Sequence, residues 1–343
     1  MMRKKIGFGI VGAGMIAGIH AQAIESVEDA YLAGVYDLIP ENAARFAADR
    51  RCKAYASYQD MLSDPAVCAV SVCTPSGLHF DNAFRAIQAG RHILIEKPMC
   101  LNLKDADELI GAGKAAGVLI SVVSQLRFSP DIAKLKKALE DGVFGRIVLA
   151  DILMKYYRTE EYYRGSAWHG TLGVDGGGAL MNQGIHGVDL LVHLCGPVRS
   201  VAAHSRTMVH PIETEDVIAV LLEFESGALG VIEASTAAYP GSPRRLEISG
   251  EYGTAVLEEN RIVSWKTVNG DEAIQPSGAG TSGANDPKAI GFRDHAKQIG
   301  NMVAAINGEE DLVIDGGQGR IPLSVILAAY KSAERDGGKI SPI

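Results

Sequence analysis

The chain predicts an α/β protein in two parts: a doubly wound parallel sheet, then an α+β domain on an open, mostly antiparallel sheet. Three observations carry this. Up to residue 125, short continuous apolar runs alternate with stretches whose apolar residues recur at helical spacing. Strands buried on both faces and joined by crossover helices require that alternation. After Ser129-Pro130 the rhythm changes to strand-like runs at short intervals, with few helices between them, which reads as antiparallel pairing. Finally, 343 residues are enough for roughly two domains at ~150 residues each.

In the first part the strand-like runs fall at 6–11, 31–36, 67–73, 92–95 and 119–123, with helices between them at 17–25, 40–49, 79–89 and 103–116. In the second, a helix at 131–141 leads into a long β-branched and aromatic run at 146–157, and a Gly-rich loop feeds one helix at 179–194. Strands are predicted at 198–206, 217–224, 229–237, 244–249, 253–257 and 262–267, and helices at 292–307 and 319–336. Residues 275–286 are polar and Gly/Ser-rich and read as a mobile loop. The expected boundary divides 1–126 from 127–343, with the last helix packing back on the first domain.

Composition narrows the function. With 47% hydrophobic and 22% charged residues the chain can bury a full core. The net charge of −8 and the absence of a basic stripe argue against a nucleic-acid partner. The five cysteines (Cys52, Cys68, Cys73, Cys100, Cys195) are odd in number and form no C-x-x-C. They fit reduced thiols in a cytoplasmic protein rather than a disulfide framework or a zinc site. Arg3-Lys4-Lys5 before an apolar run imitates a signal peptide, but glycines at 7, 9, 12, 14 and 18 interrupt that run. No apolar stretch reaches the roughly eighteen residues of a membrane span, so no membrane partner is expected.

Gly12-Ala13-Gly14-Met15-Ile16-Ala17 follows the first strand and opens the first helix, the context that a G-x-G-x-x-G/A dinucleotide loop requires. Gly12 permits the tight turn, Gly14 admits a pyrophosphate, and the helix N-terminus offers free N–H groups. Asp37 ends the second strand, where a carboxylate accepts hydrogen bonds from ribose hydroxyls and repels a 2′-phosphate. Leu38 and Ile39 supply no cation, so NAD is expected over NADP. Ligands of open α/β sheets sit beyond the carboxyl ends of the strands. Two such ends carry chemistry: Cys73-Thr74-Pro75-Ser76, and Glu96-Lys97-Pro98, where the proline keeps Lys97 extended.

Further on, Gly176-Gly177-Gly178 precedes a helix on which Asn182, His186 and Asp189 stand at i, i+4 and i+7, one face. An imidazole beside a carboxamide and a carboxylate can serve as a general base. A metal reading of His186, Asp189 and His193 has no zinc motif behind it, and no metal is expected.

Together the glycine fingerprint, Glu96-Lys97-Pro98 and the Gly-Gly-x-Leu … Gly-x-His-x-x-Asp helix resemble the glucose–fructose oxidoreductase / inositol dehydrogenase / rhizopine-catabolism (Gfo/Idh/MocA) family over essentially the whole chain. The resemblance implies an NAD(P)-binding Rossmann domain, then a substrate-binding domain whose open sheet builds homodimers or homotetramers. It also implies NAD(P)-dependent oxidation of a sugar or polyol hydroxyl. By position Lys97 matches the family's catalytic lysine and His186 its catalytic histidine. Asn182 stands where many members have aspartate; it can orient a substrate but not take a proton. That Met-Asn-Gln form is closer to members oxidising C3 of hexosides or nucleotide sugars. Beside Gly12, Gly14 and Asp37, the cofactor contacts implied are Met15, Ile16, Thr74, Pro75, His79, Glu96, Lys97, Gln125 and Trp168. The substrate contacts implied are Lys97, Arg127, Tyr163, Arg164, Trp168, His169, Asn182 and His186, with His169 where many relatives have arginine.

The expected chemistry is hydride transfer from a secondary hydroxyl of a sugar, glycoside or polyol to nicotinamide, with His186 or Lys97 taking the proton. Two rivals share the fold: an NAD-dependent glycoside hydrolase working by transient C3 oxidation, and a non-catalytic nucleotide sensor.

Overall fold

The computed structural model describes residues 4–271 and 291–343. In chain order the first elements are β1 (Ile6–Val11), α1 (Met15–Glu25), β2 (Ala30–Tyr36), α2 (Pro40–Arg50), β3 (Lys53–Ala54), α3 (Tyr58–Ser63), β4 (Ala69–Val72), α4 (His79–Gln88), β5 (His92–Ile95), α5 (Leu103–Ala116) and β6 (Ile120–Val122). Next come α6 (Pro130–Glu140), β7 (Ile147–Lys155), α7 (Glu160–Arg164), α8 (Ile185–Cys195), β8 (Val198–Arg206), β9 (Val217–Phe224) and β10 (Leu229–Ser235). The chain closes with β11 (Arg245–Gly250), β12 (Gly253–Glu258), β13 (Arg261–Thr267), β14 (Gly270–Asp271), α9 (Arg293–Ile306) and α10 (Gly316–Ala333).

Two compact units result: the described residues up to Gln125 with Gly291–Arg320, and Leu126 to Asp271 with Ile321–Ile343. In the first, six parallel strands run in the order β3-β2-β1-β4-β5-β6, the doubly wound arrangement. Phe8 and Ile10 of β1 pack with Ala17, Ala21 and Ile24 of α1 at its centre. Asn102 starts α5 by accepting from Asp105 N–H, and Gly117 ends it in the left-handed conformation.

The expected domain division differs from this in one respect. The segment that returns to the first unit is Gly291–Arg320, which carries α9 and the first turn of α10. Ile299, Met302 and Val303 join the core around α1, and the Gln298 amide caps β6, donating to Ser121 Oγ (3.1 Å) and Val122 O (2.7 Å). The last helix is shared, its first turn belonging to the first unit and the rest to the second.

The second unit carries eight strands in the order β14-β13-β12-β11-β7-β10-β9-β8. Among the described residues only β7 and β10 pair in parallel; the other pairings are antiparallel, as the short strand spacing predicts. One face is buried: Ile218, Val220, Leu222 and Phe224 of β9 alternate inward with Ile152 and Met154 of β7. Helix α8 packs on β7 where Gly187 lies; a Cβ there would meet Met154 Sδ at 2.3 Å. The register sets Leu149, Leu221 and Leu229 on the opposite, exposed face.

The helix expected over 179–194 is two pieces. Ala179–Gly184 is a π-helical turn, and α8 follows it. The buried Glu215 carboxylate holds the turn open, accepting from Gly178 N–H, Leu180 N–H (both 2.8 Å) and the Tyr330 hydroxyl (2.8 Å). The expected loop at 275–286 lies outside the described residues. All five cysteines are free thiols, and no described helix is long and apolar enough to cross a membrane.

Candidate active site

In the first unit the dinucleotide loop has the geometry its sequence implies. Gly12 sits at φ +92°, and a Cβ on it would come within 2.8 Å of the Cys73 carbonyl, so glycine is required. Gly14 caps α1 without a side chain, and a Cβ there would meet nothing within 4 Å, which leaves the helix N-terminus open to a phosphate. Met15 is exposed beside it and Ile16 packs toward the core. Asp37 accepts from Ala13 N–H (2.7 Å) and Ile39 N–H (2.8 Å), fixing the glycine loop to the end of β2. A carboxylate offers about four lone-pair sites, so acceptor capacity remains for ribose hydroxyls. At the mouths of β4 and β6, Thr74 Oγ1 and Gln125 Oε1 are buried with no hydrogen-bond partner among the described residues. Orphaned polar atoms at strand ends beside such a loop fit a dinucleotide.

Replacing Asp37 by serine is expected to raise KM for NAD by roughly 10–100-fold, the worth of hydrogen bonds to a charged group, and to narrow the preference over NADP. Initial rates with each cofactor measure both effects.

Two implied cofactor contacts have other partners. His79 is buried with Nδ1 2.7 Å from Pro98 O and Nε2 2.9 Å from Thr74 O, so its ring braces the loops after β4 and β5. Pro75 is half-buried in the first of those loops. Glu96 turns inward. Its Oε1 lies 2.9 Å from His20 Nε2, and its Oε2 accepts the Lys97 N–H at 3.1 Å. The other His20 nitrogen is 2.7 Å from Ser71 Oγ. Lys97 itself is half-buried at the end of β5, ahead of a cis bond to Pro98.

Burial opposes charge on His20, but Cys73 and Glu96 outweigh it and raise its pKa to about 10. Burial likewise opposes charge on Glu96, yet the His20 hydrogen bond and charge hold its carboxyl far below the usual range. A raised histidine stabilises fully below its ordinary 6.5 and ceases to as pH rises through about 10. A lowered glutamate stabilises above its ordinary 4.5 and ceases to as pH falls through its folded value. The pair therefore contributes in full between pH 4.5 and 6.5. Melting curves should show the stability gap between wild type and His20→Gln shrinking as pH rises from 6.5 toward 10.

The ligand atoms of His20, Glu96 and His295 lie within 4.8 Å of one another, but both His20 nitrogens already have hydrogen-bond partners. The grouping reads as a hydrogen-bonded relay rather than a metal centre.

In the second unit the π turn and α8 present Asn182 and His186, both half-buried. The Asn182 amide is fixed at both ends: Nδ2 donates to Asp175 Oδ1 at 2.7 Å, and Oδ1 accepts from Gln183 Nε2 at 3.1 Å. Asp189, expected to share a face with His186, is committed elsewhere. Arg127 donates to it from Nε (2.9 Å) and Nη2 (2.6 Å), in a pair whose side chains are 3% and 4% exposed. The guanidinium expected to border the substrate thus anchors α8. His193 is pushed down to about 4 by burial and by the Arg127 and Lys136 charges, so a cation at His186, Asp189 and His193 finds a competing charge there.

On the segment before the glycine run, Tyr163 OH donates to Thr236 Oγ1 (2.8 Å). Trp168 lies 4.0 Å from the His169 ring, centroid to centroid, and His169 stacks on Tyr162 at 4.4 Å. Arg164, expected to grip an anion, pairs on the surface with Glu160. Arg158, in the segment that resembles the family's substrate-side loop but with no role assigned from sequence, is buried, donates to Gln183 Oε1 (2.8 Å) and lies over the Tyr156 and Tyr162 rings. Sequence reasoning overlooked Asp175, which accepts from Gly170 N–H and Asn182 Nδ2 five and seven residues away, and Glu215 and Tyr330, whose partners are too distant in the chain to leave a local signal.

A parallel sheet in this order, with a carboxylate-anchored glycine loop and a lysine at a strand mouth, defines an NAD-binding oxidoreductase. Family models agree: residues 6–124 match the oxidoreductase family NAD-binding Rossmann fold, and 132–256 the GFO/IDH/MocA C-terminal domain. The chain belongs to the Gfo/Idh/MocA oxidoreductases. It is similar to the WlbA dehydrogenase of Bordetella pertussis, solved with NADH and UDP-GlcNAcA, at 35% identity over 99% of both chains and a TM-score of 0.89. It is 29% identical to the UDP-N-acetylglucosamine 3-dehydrogenase of Acidithiobacillus ferrooxidans, over 95% of this chain and 96% of the relative. It is also 28% identical to the myo-inositol 2-dehydrogenase of Thermotoga maritima, with the same coverage.

Proposed function

We propose that the protein oxidises the C3 hydroxyl of a nucleotide-linked hexopyranose, delivering hydride to NAD. The observation that carries this is the locked Asn182 amide. Its donor end faces Asp175 and its acceptor end Gln183, so the group on the π turn orients and cannot accept a proton. Proton acceptance then falls to His186, an imidazole on the next helical turn. Lys97 hydrogen-bonds the reacting oxygen and stabilises the charge that develops as the O–H bond breaks. The bound nicotinamide supplies the hydride acceptor for the carbinol C–H, leaving a ketone. Tyr163, Trp168 and His169 supply aromatic and imidazole surface for the sugar. Likeness to a dehydrogenase solved with UDP-GlcNAcA and to a UDP-N-acetylglucosamine 3-dehydrogenase supports this substrate over a free inositol.

The test is a panel of UDP-N-acetylglucosamine, its uronic acid, free hexoses, inositols and aryl glycosides with NAD⁺ and then NADP⁺, following reduced nicotinamide. Turnover of a UDP-sugar with NAD⁺ is the expected result. Cleavage of aryl glycosides with no net NADH would replace it with the hydrolase reading, and a flat panel with a bound nucleotide with the sensor reading.

Leu149, Leu221 and Leu229 on the exposed sheet face, with Leu221 63% exposed, support assembly through that face as a homodimer or homotetramer. Sedimentation should give at least a dimer, and Leu221→Glu should shift it toward monomer.

A further inference from the structure

We propose that His20 is a positioning residue for Lys97, acting through Glu96. The relay uses four groups from three elements of one unit. Ser71 on β4 lies 2.7 Å from His20 Nδ1; His20 on α1 reaches Glu96 with Nε2 at 2.9 Å; Glu96, just past β5, accepts the Lys97 N–H at 3.1 Å. Ser71 and His20 are fully buried and Glu96 is 6% exposed. His295 of α9 closes the other side of the imidazole, ring centroids 5.5 Å apart, and is held down to about 4 by burial and by the His20 charge. Only one of the two histidines is therefore cationic, and its charge is directed at Glu96.

A buried ion pair is a poor way to gain stability, since well-packed apolar residues of the same volume often do as well or better. What this one supplies is geometry. A buried carboxylate bonded on one oxygen to a histidine and on the other to a peptide N–H holds that peptide in one orientation. The ammonium of Lys97 springs from that residue. His20 also lies on the helix whose N-terminus is the dinucleotide loop, so a single side chain ties the helix bearing the cofactor loop to the strand end bearing the lysine.

This inference rests on the role given to Lys97 above, and its test has a readout independent of turnover. The full chain, reductively ¹³C-dimethylated and bound to NADH, gives one NMR resonance per lysine, with Lys97 assigned by its loss in Lys97→Arg. His20→Ala is expected to shift the Lys97 resonance and leave distant lysines in place, and His20→Gln, which keeps a donor toward Glu96, to return it toward wild type. Ser71→Ala asks the same question with a smaller shift if His20→Ala does not fold. Kinetically, His20→Ala should lower kcat about a hundredfold, as a misplacement of ~1 Å does, with little change in KM for NAD. It should cause no further loss in a Lys97→Ala background. A Lys97 resonance unmoved in folded His20→Ala or Ser71→Ala, or an equal loss from His20→Ala with Lys97 already removed, overturns the proposal. Wild-type turnover by Lys97→Ala would instead overturn the role of Lys97 and leave the NMR result standing.

Discussion

Lys97→Ala and His186→Ala are each expected to lower kcat by roughly 10²–10⁴-fold while NADH binding and the melting temperature change little. The size follows from the two tasks. A positioned general base is worth 10²–10⁴, and a donor at a developing alkoxide about 10²–10³. Neither side chain is in its unit's core: both are half-buried, at the end of a strand and near the start of a helix. Truncation should therefore remove chemistry without a cavity penalty. His186→Ala should also flatten the acidic limb of the pH–rate profile, because a protonated imidazole cannot accept the hydroxyl proton. Near-normal kcat in either variant, by stopped-flow or steady-state rates, would contradict the assignment.

The second large effect is on stability. Asp189→Leu should destabilise the second unit by about 3–5 kcal/mol, because it takes the bidentate carboxylate from a guanidinium that is 3% exposed. Arg127→Leu should do comparable damage from the other side. The double replacement should cost far less than the sum, since burying two apolar side chains removes the uncompensated charge. Urea denaturation of the four proteins gives the cycle directly. Activity should fall with stability in Asp189→Leu, because α8 carries His186 one turn away. Additive losses in the cycle would show that the pair is not coupled.

Much of the first unit was legible because each strand is a continuous apolar run and each helix a separate periodic stretch; β1, β5 and α5 fall where the sequence predicts. What escaped was short or long-range. β3 has two residues and α3 six, too few for any period to register. The return of α9 to the first unit depends on contacts with residues nearly three hundred positions earlier, which no local pattern encodes. In the second unit Asn182, His186 and Asp189 share one face only where the helix keeps 3.6 residues per turn throughout. The π turn at Ala179–Gly184 breaks that spacing, and its cause, Glu215, lies far along the chain. The types of residue at the candidate site were legible; their partners were not. Asp189 belongs to Arg127, Glu96 to His20, and Asn182 to Asp175.

Oxidation at C3 is tested by following the hydride itself. UDP-N-acetylglucosaminuronic acid and UDP-N-acetylglucosamine carrying deuterium at C3 would be incubated with the protein and NAD⁺, and the nucleotide analysed by mass spectrometry. Hydride transfer from C3 gives NADH one mass unit heavier, formed in step with a 3-keto sugar, and a primary isotope effect on the chemical step. Unlabelled NADH would show that another carbon is oxidised, and full substrate turnover with no NADH would show that the protein is not a dehydrogenase.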